Sequence, residues 1–162
     1  MKKLREVTLI FLIKKSRGQI TDICLAMKKR GFGINKWNGV GGKVEENEMI
    51  KEAAIREAKE EVGVEIKTLK KIAELSFSFP HNLLFNQRVH VYFSENWENE
   101  PIETEEMKPQ WFRITEVPFE EMWSDDIFWL PQVIKGNLLK AEFEFGEDER
   151  VTKKKVELVK RF

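Results

Sequence analysis

The run Gly42-Lys43-Val44-Glu45-Glu46-Asn47-Glu48-Met49-Ile50-Lys51-Glu52-Ala53-Ala54-Ile55-Arg56-Glu57-Ala58-Lys59-Glu60-Glu61-Val62-Gly63-Val64 is the most informative part of this chain. From Glu48 to Val62 it has few breakers, alanines inside and Gly63 at the natural stop position, which predicts a helix over 48–62. At about 100° per residue, Glu57, Glu60 and Glu61 fall within one arc, because residues three and four apart are neighbours. Ile50, Ala54, Ala58 and Val62 make the adjoining apolar stripe, expected to face the core, while Glu52 and Lys59 point toward water. Carboxylates crowded in this way repel one another unless a cation neutralises them. Hard oxygen ligands suit Mg²⁺ or Mn²⁺. Upstream, Gly39, Gly41 and Gly42 allow close backbone approach and offer carbonyls or amides to a metal or a phosphate. Arg56 carries a planar fork that can hold Glu48 and Glu57 in place. A solvated helix rich in Glu and Lys is the ordinary alternative in a chain with 35% charged residues, and it would suffice for Glu60-Glu61 alone. It does not account for the fixed spacing of Gly42, Glu48, Arg56, Glu57, Glu60, Glu61 and Gly63.

These positions resemble the Nudix box of the Nudix hydrolases, a family that cleaves nucleoside diphosphates linked to another moiety with Mg²⁺ or Mn²⁺. The resemblance implies an α/β chain with the Nudix fold, an α/β/α sandwich around a mixed β-sheet. It also implies a catalytic set of Glu57, Glu60, Glu61, Arg56 and Glu48. The metal ligands it implies are Gly41, Glu57, Glu60, Glu61 and Glu106, the last matching an additional acid near the metal in relatives. Ala58 departs from the pattern, which usually carries a larger aliphatic residue there, so a packing adjustment is expected.

At 162 residues the chain suits one domain over 1–162 and can bury most of its apolar surface. Twelve Phe and five Trp supply large pieces for a core and for a ring-binding pocket. Lys+Arg and Asp+Glu balance at 28 each, which disfavours a nucleic-acid polymer as partner. The single Cys24 excludes an intramolecular disulfide and is expected in the core. The start Met1-Lys2-Lys3-Leu4-Arg5-Glu6, followed by apolar Val7 to Ile13, could mimic a signal peptide. It is too short to span a membrane and reads better as a buried first strand. A small-molecule substrate, no membrane, a monomer and a reducing cytoplasmic setting are the expectations.

Val7–Ile13 and Gln19–Met27 read as strands joined by a turn ending in Gly18, followed by a loop from Lys28 to Val40. Leu75–Phe79 and Arg88–Phe93 alternate as half-buried strands do. A short strand is expected over Trp111–Ile114, bounded by Pro109 and Pro118. Asp125–Ile134 is apolar enough for a second helix, kinked or late-starting at Pro131. Ala141–Phe145 and Val151–Val159 resemble a terminal hairpin.

Substrate choice must come from outside the box. The stretches Met27 to Val44, Glu106 to Phe112 and Val117 to Pro131 resemble the MutT-homologue branch of the family, whose mammalian members remove oxidised purine nucleoside triphosphates. The implied substrate-binding residues are Thr8, Lys28, Phe32, Asn38, Phe77, Trp123, Asp125 and Asp126. A purine needs flat apolar surfaces for its faces and polar groups for its edge. Trp123 can stack on it, Phe32 and Phe77 can wall the pocket, and Asn38 offers a donor and an acceptor. In a dry pocket one of Asp125 and Asp126 should stay protonated, giving a donor beside an acceptor. The bland alternatives are a core Trp123, a helix cap at Asp125-Asp126, a packed Phe77, a turn at Asn38 and a solvated Lys28. His90 is expected to be a satisfied strand residue. The branch places a methionine and then an acid where this chain has Gln87 and Arg88, and Phe85 or Leu84 is expected to fill the gap. The expected reaction is Mg-dependent release of pyrophosphate from 8-oxo-dGTP and 2-hydroxy-dATP. The alternatives are a pyrophosphatase for another modified purine nucleotide, a non-catalytic nucleotide sensor and an RNA-processing Nudix protein.

Overall fold

The computed structural model describes residues 4–162, and the basic start Met1-Lys2-Lys3 lies outside the described residues. Its strands are β1 (Arg5–Ser16), β2 (Gln19–Lys28), β3 (Trp37–Asn38), β4 (Glu65–Ile66), β5 (Lys70–Ser78), β6 (Gln87–Ser94), β7 (Trp97–Glu98), β8 (Met107–Arg113), β9 (Leu138–Phe145) and β10 (Val151–Val159). Two helices, α1 (Ile50–Val62) and α2 (Asp126–Ile134), join them. The main sheet runs β10-β9-β5-β6-β1-β2-β3, with β8 on the free side of β2, and β4 pairs β7 apart from it. It is mixed: β1–β6 and β5–β9 are parallel, the other pairs antiparallel.

Alternation along β1 explains the layers. Ile10 and Leu12 point to one face, where they join Ala54, Ala58 and Val62 of α1. Phe11 and Ile13 point to the other, where they join Trp129, Leu130 and Val133 of α2. A helix on each side of a mixed sheet is the expected sandwich. Ala53, Ala54 and Ala58 are fully buried, so small side chains let α1 lie close to the sheet. Cys24 is buried in the same layer, where desolvation pushes its thiol up to about 12.

Two features of β1 position the site. Its first half pairs with β6, from Arg5 opposite Gln87 to Leu12 opposite Ser94, and its second half forms the hairpin with β2, with a bulge at Lys14/Lys15. The other edge of the first half is taken by the glycine stretch: Thr8 N donates to Gly42 O (2.9 Å), and Ile10 and Val40 exchange both backbone bonds (2.6 and 3.0 Å).

Several boundaries differ from the sequence expectation. Helix α1 begins at Ile50, because Asn47 takes a left-handed turn (φ 63) and Glu48 N bonds back to Glu45 O. Its end is as expected: Gly63 is left-handed (φ 74) and its N–H caps Lys59 O. Ile50 is only half-buried, and Ala53 takes its place in the stripe. Strand β8 runs through Pro109 rather than starting after it, because it is an edge strand paired only to β2, where a missing N–H is tolerated. Ile114 already belongs to a 3₁₀ turn. Strand β5 starts five residues before Leu75 and stops one short of Phe79. Pro131 lies inside α2, which starts at Asp126. The expected loop over Lys28–Val40 contains β3. Among the described residues, no helix is long and apolar enough to cross a membrane.

Candidate active site

The glycines are where the backbone comes closest to its neighbours. A Cβ on Gly41 would lie 1.8 Å from Thr8 O, and one on Gly42 would lie 2.6 Å from the Glu57 carboxyl carbon. Gly41→Ala therefore cannot keep this register; we expect it to unfold or to lose all site function, read by thermal melting alongside nucleotide binding. Thr8 is buried beneath the stretch, its hydroxyl donating to Gly42 O at 3.3 Å.

Arg56 organises the acids. Its Nε and Nη2 donate to the two oxygens of Glu48 (2.7 and 2.9 Å), and Nη1 donates to Glu57 (2.9 Å) and Glu60 (3.2 Å). This fork holds the Glu48 carboxyl down to about 2, with the Glu45 amide adding to the effect. Glu61 is the opposite case. It is buried, its Oε2 has no partner, and burial followed by the charge of Glu57 pushes it up to about 8, against a Gly41 amide that favours the ionised form. Glu60 stays exposed on the Arg56 side, and Glu106 is exposed and paired with Arg30 at 3.1 Å. The loop bearing Glu106 is tied to α1 by Thr104 Oγ1 donating to Glu61 O at 2.8 Å. Among the described residues, no three ligating side chains are already gathered round one point.

Glu57 and Glu61 open onto a cavity of about 470 Å³ whose other end is aromatic. Thr8, Lys28, Phe32, Asn38, Gly41, Phe77, Trp123, Asp125 and Asp126 all line it. The structure thus brings the expected base-binding residues and two of the acids to one space, while Glu48, Arg56, Glu60 and Glu106 stand outside its lining. Asn38 Oδ1 accepts the Gly39 N–H at 2.8 Å, which leaves its NH₂ group for the cavity. Phe32 packs against Trp123 (centroids 5.0 Å apart), and Phe77 against Phe145 (5.4 Å).

Asp125 and Asp126 are both fully buried, and neither caps α2 through its side chain. Asp125 Oδ2 accepts the indole N–H of Trp129 at 2.8 Å, while Asp125 Oδ1 and Asp126 Oδ2 have no protein partner. Burial raises Asp125 to about 6; burial and the charge of Asp125 raise Asp126 well above the ordinary range. Burial opposes charge on both members, so the pair favours holding one proton, which makes a donor beside an acceptor.

All three shifts are upward, so the folded protein keeps protons that the unfolded chain releases. Their contribution to stability is complete below the ordinary values of 3.8 and 4.5 and is lost as pH rises through about 6 and about 8. The melting temperature in chelator is expected to fall across that window, and a flat profile would contradict it.

The NUDIX domain pattern matches residues 3–133. The chain belongs to the NUDIX family. Over 153 residues it is 40% identical to the oxidized purine nucleoside triphosphate hydrolase of Danio rerio, covering 94% of each chain. It is 36% identical over 151 residues to the protein of that name from Mus musculus, covering 93% of each. A crystal structure of a MutT protein from Bacillus halodurans superposes with a TM-score of 0.79 at 21% identity, covering 95% of this chain and 98% of that one. That likeness bears on the fold alone.

NUDIX hydrolases generally use a divalent metal ion. The residues of this NUDIX chain fit one: an unpartnered buried Glu61 oxygen, Glu57 beside it, and donors that are all oxygen. Several residues that line the cavity escaped the sequence reading, namely Arg5, Lys36, Phe79 and Phe145. So did Trp129, which orients Asp125; its signal was the four-residue spacing on a helix. Phe145 could have been found from its alternation with Phe143 in β9. Leu84 is 70% exposed and does not line the cavity, whereas Phe85 does. Arg88 pairs with Glu6 and Glu74 outside it. His90 is a satisfied strand residue: Lys71 donates to its Nδ1 at 2.9 Å, so its Nε2–H donates to Glu6 at 2.6 Å.

Proposed function

We propose that the chain, working as one domain over 1–162 and as a cytoplasmic monomer, hydrolyses oxidised purine nucleoside triphosphates such as 8-oxo-dGTP and 2-hydroxy-dATP. The products are the monophosphate and pyrophosphate, and the biological result is a sanitised nucleotide pool. The observation that carries this reading is the meeting of Glu57 and Glu61 with the buried Asp125-Asp126 pair on one cavity. Two relatives that carry the name of that activity, each aligned over nearly the whole chain, support it.

Glu57, Glu60, Glu61 and Glu106, with the Gly41 carbonyl, would hold Mg²⁺, or Mn²⁺ in its place. When bound, such an ion neutralises triphosphate charge and makes an attacking water more acidic. The chain's own residues do the rest. Arg56 holds Glu57 and Glu60 in line through one guanidinium nitrogen and is itself anchored by Glu48. Lys28 adds positive charge beside Glu61. Trp123, Phe32 and Phe77 take the faces of the base, and Asn38, Asp125 and Asp126 take its edge. A balanced 28 and 28 count of charges gives no reason to expect a nucleic-acid polymer. Phosphorus NMR of the products tests the reaction: monophosphate plus pyrophosphate, abolished by chelator, is expected. Diphosphate plus orthophosphate would overturn it. A second reading, a pyrophosphatase for a methylated purine nucleotide, draws on Gln87 standing where the MutT-homologue branch places a methionine.

A further inference from the structure

Strand β10 is an outer edge of the main sheet, paired to β9 and, among the described residues, to no other strand. Residues 152–159 make no backbone hydrogen bond outside that pairing, so alternate residues turn an unpaired N–H and C=O outward. Residues 152–158 are all exposed. The chain beyond them turns back over the sheet: the Phe162 ring lies 5.0 Å from Lys71 Nζ on β5, two strands inward.

The two faces of β10 carry different patterns. Lys154, Val156 and Leu158 stand opposite Phe143, Ala141 and Leu139, which are buried in the layer that holds α2. Val156 (36% exposed) and Leu158 (56%) extend that apolar layer past the last covered strand, and Lys154 lies over the Phe128 ring of α2 at 4.2 Å. Lys153, Lys155 and Glu157 are on the other face, opposite Glu144, Glu142 and Lys140. A long open edge with an apolar stripe is a template for another strand.

We propose that β10 pairs with β10 of a second copy of this chain, antiparallel about a two-fold axis normal to the sheet at Val156. Charge complementarity selects both the occupant and the register. Centred on Val156, Lys155 of each copy stands opposite Glu157 of the other. Read across four strands, the row is Glu142, Lys155, then Glu157 and Lys140 of the second copy, so the charges alternate. On the other face Val156 meets its own counterpart, and Leu158 meets the aliphatic stem of Lys154. Centring on Lys154 instead sets Lys153 against Lys155 twice, and centring on Lys155 or Glu157 sets that residue against its own counterpart. Lysines that guard the edge in those registers therefore fix one pairing. A single strand pair falls below the about 800 Å² per partner of a standard interface, so the association is weak, roughly micromolar to millimolar. No residue of β10 lines the cavity, so each copy keeps a whole site. The monomer stays the catalytic unit, and the pairing is independent of what the cavity binds.

Sedimentation equilibrium of the full chain from about 10 μM to about 1 mM tests the pairing, with amide NMR on dilution locating the contact. Wild type is expected to dimerise, with shifts centred on β10. Glu157→Lys and Lys155→Glu should each weaken the dimer at least about tenfold, because each sets like charges face to face at two places. Mixed in equal amounts, these two variants should associate with each other, since their opposed charges are complementary again. Val156→Lys stands opposite uncharged Ala141 in its own hairpin, so it tests the two-fold centre even where a charge variant does not fold, and it too should weaken the dimer. Lys51→Glu, on the exposed side of α1, should leave it unchanged. A wild type that stays monomeric at about 1 mM, or dilution shifts that lie away from β10, would overturn the proposal. So would Val156→Lys pairing as wild type does, a mixture no tighter than either charge variant alone, or Lys51→Glu weakening the dimer equally.

Discussion

Glu61→Gln is expected to lower turnover by at least about 10²-fold while leaving the fold intact. The side chain is buried against Glu57, and one of its oxygens has no protein partner. Such an atom costs stability unless something outside the protein engages it. An amide of the same shape keeps the packing and removes the charge a metal ion would use. The fold should even gain in chelator at high pH, because the variant no longer ionises a group whose acidity burial has pushed up to about 8. Mg²⁺ should raise the melting temperature of wild type more at pH 8 than at pH 6, since metal binding needs the deprotonated group. That difference should vanish in the variant. Near-normal turnover in Glu61→Gln, with an unchanged response to Mg²⁺, would remove Glu61 from the metal assignment.

Asp126→Ala should cut kcat/KM for an oxidised purine triphosphate by about 10- to 100-fold, the scale of a lost hydrogen bond in a site with charged groups. Asp125 would remain, held by Trp129 Nε1 at 2.8 Å, but it would have lost the neighbour that makes the pair a donor beside an acceptor. Asp126→Asn separates the chemistry from the charge. It offers an N–H donor in place of the carboxylic O–H and cannot ionise, so it should retain more activity than Asp126→Ala. Equal kcat/KM in wild type and Asp126→Ala would show that the pair does not touch the base.

Much of this was legible in the sequence because it is written locally. The α1 stop at Gly63, the Arg56 fork and the faces of β1, β5 and β6 follow from spacing along a single element. The start of α1 was not, because a left-handed Asn47 and a back-bonded Glu48 are turn choices that helix-forming composition does not reveal. Nor were β4 and β7, two residues each, which have no room to show a period. The cavity wall was half legible. Trp123 and the Asp pair lie in one stretch, but Arg5, Gln87 and Phe145 come from three strands and meet only through sheet register, and Phe85 reaches the cavity from a 3₁₀ turn. The apolar loop residues Leu84 and Phe85 looked equivalent in sequence. A 3₁₀ turn sends one into the cavity and the other into solvent.

The most direct test of the central claim is the ratio of kcat/KM for 8-oxo-dGTP over dGTP, measured by pyrophosphate release with Mg²⁺ and again with chelator. The account predicts metal-dependent release that favours the oxidised base by at least about tenfold, a preference that Asp126→Ala diminishes. Equal rates on the two nucleotides, or release that survives chelation, would contradict it.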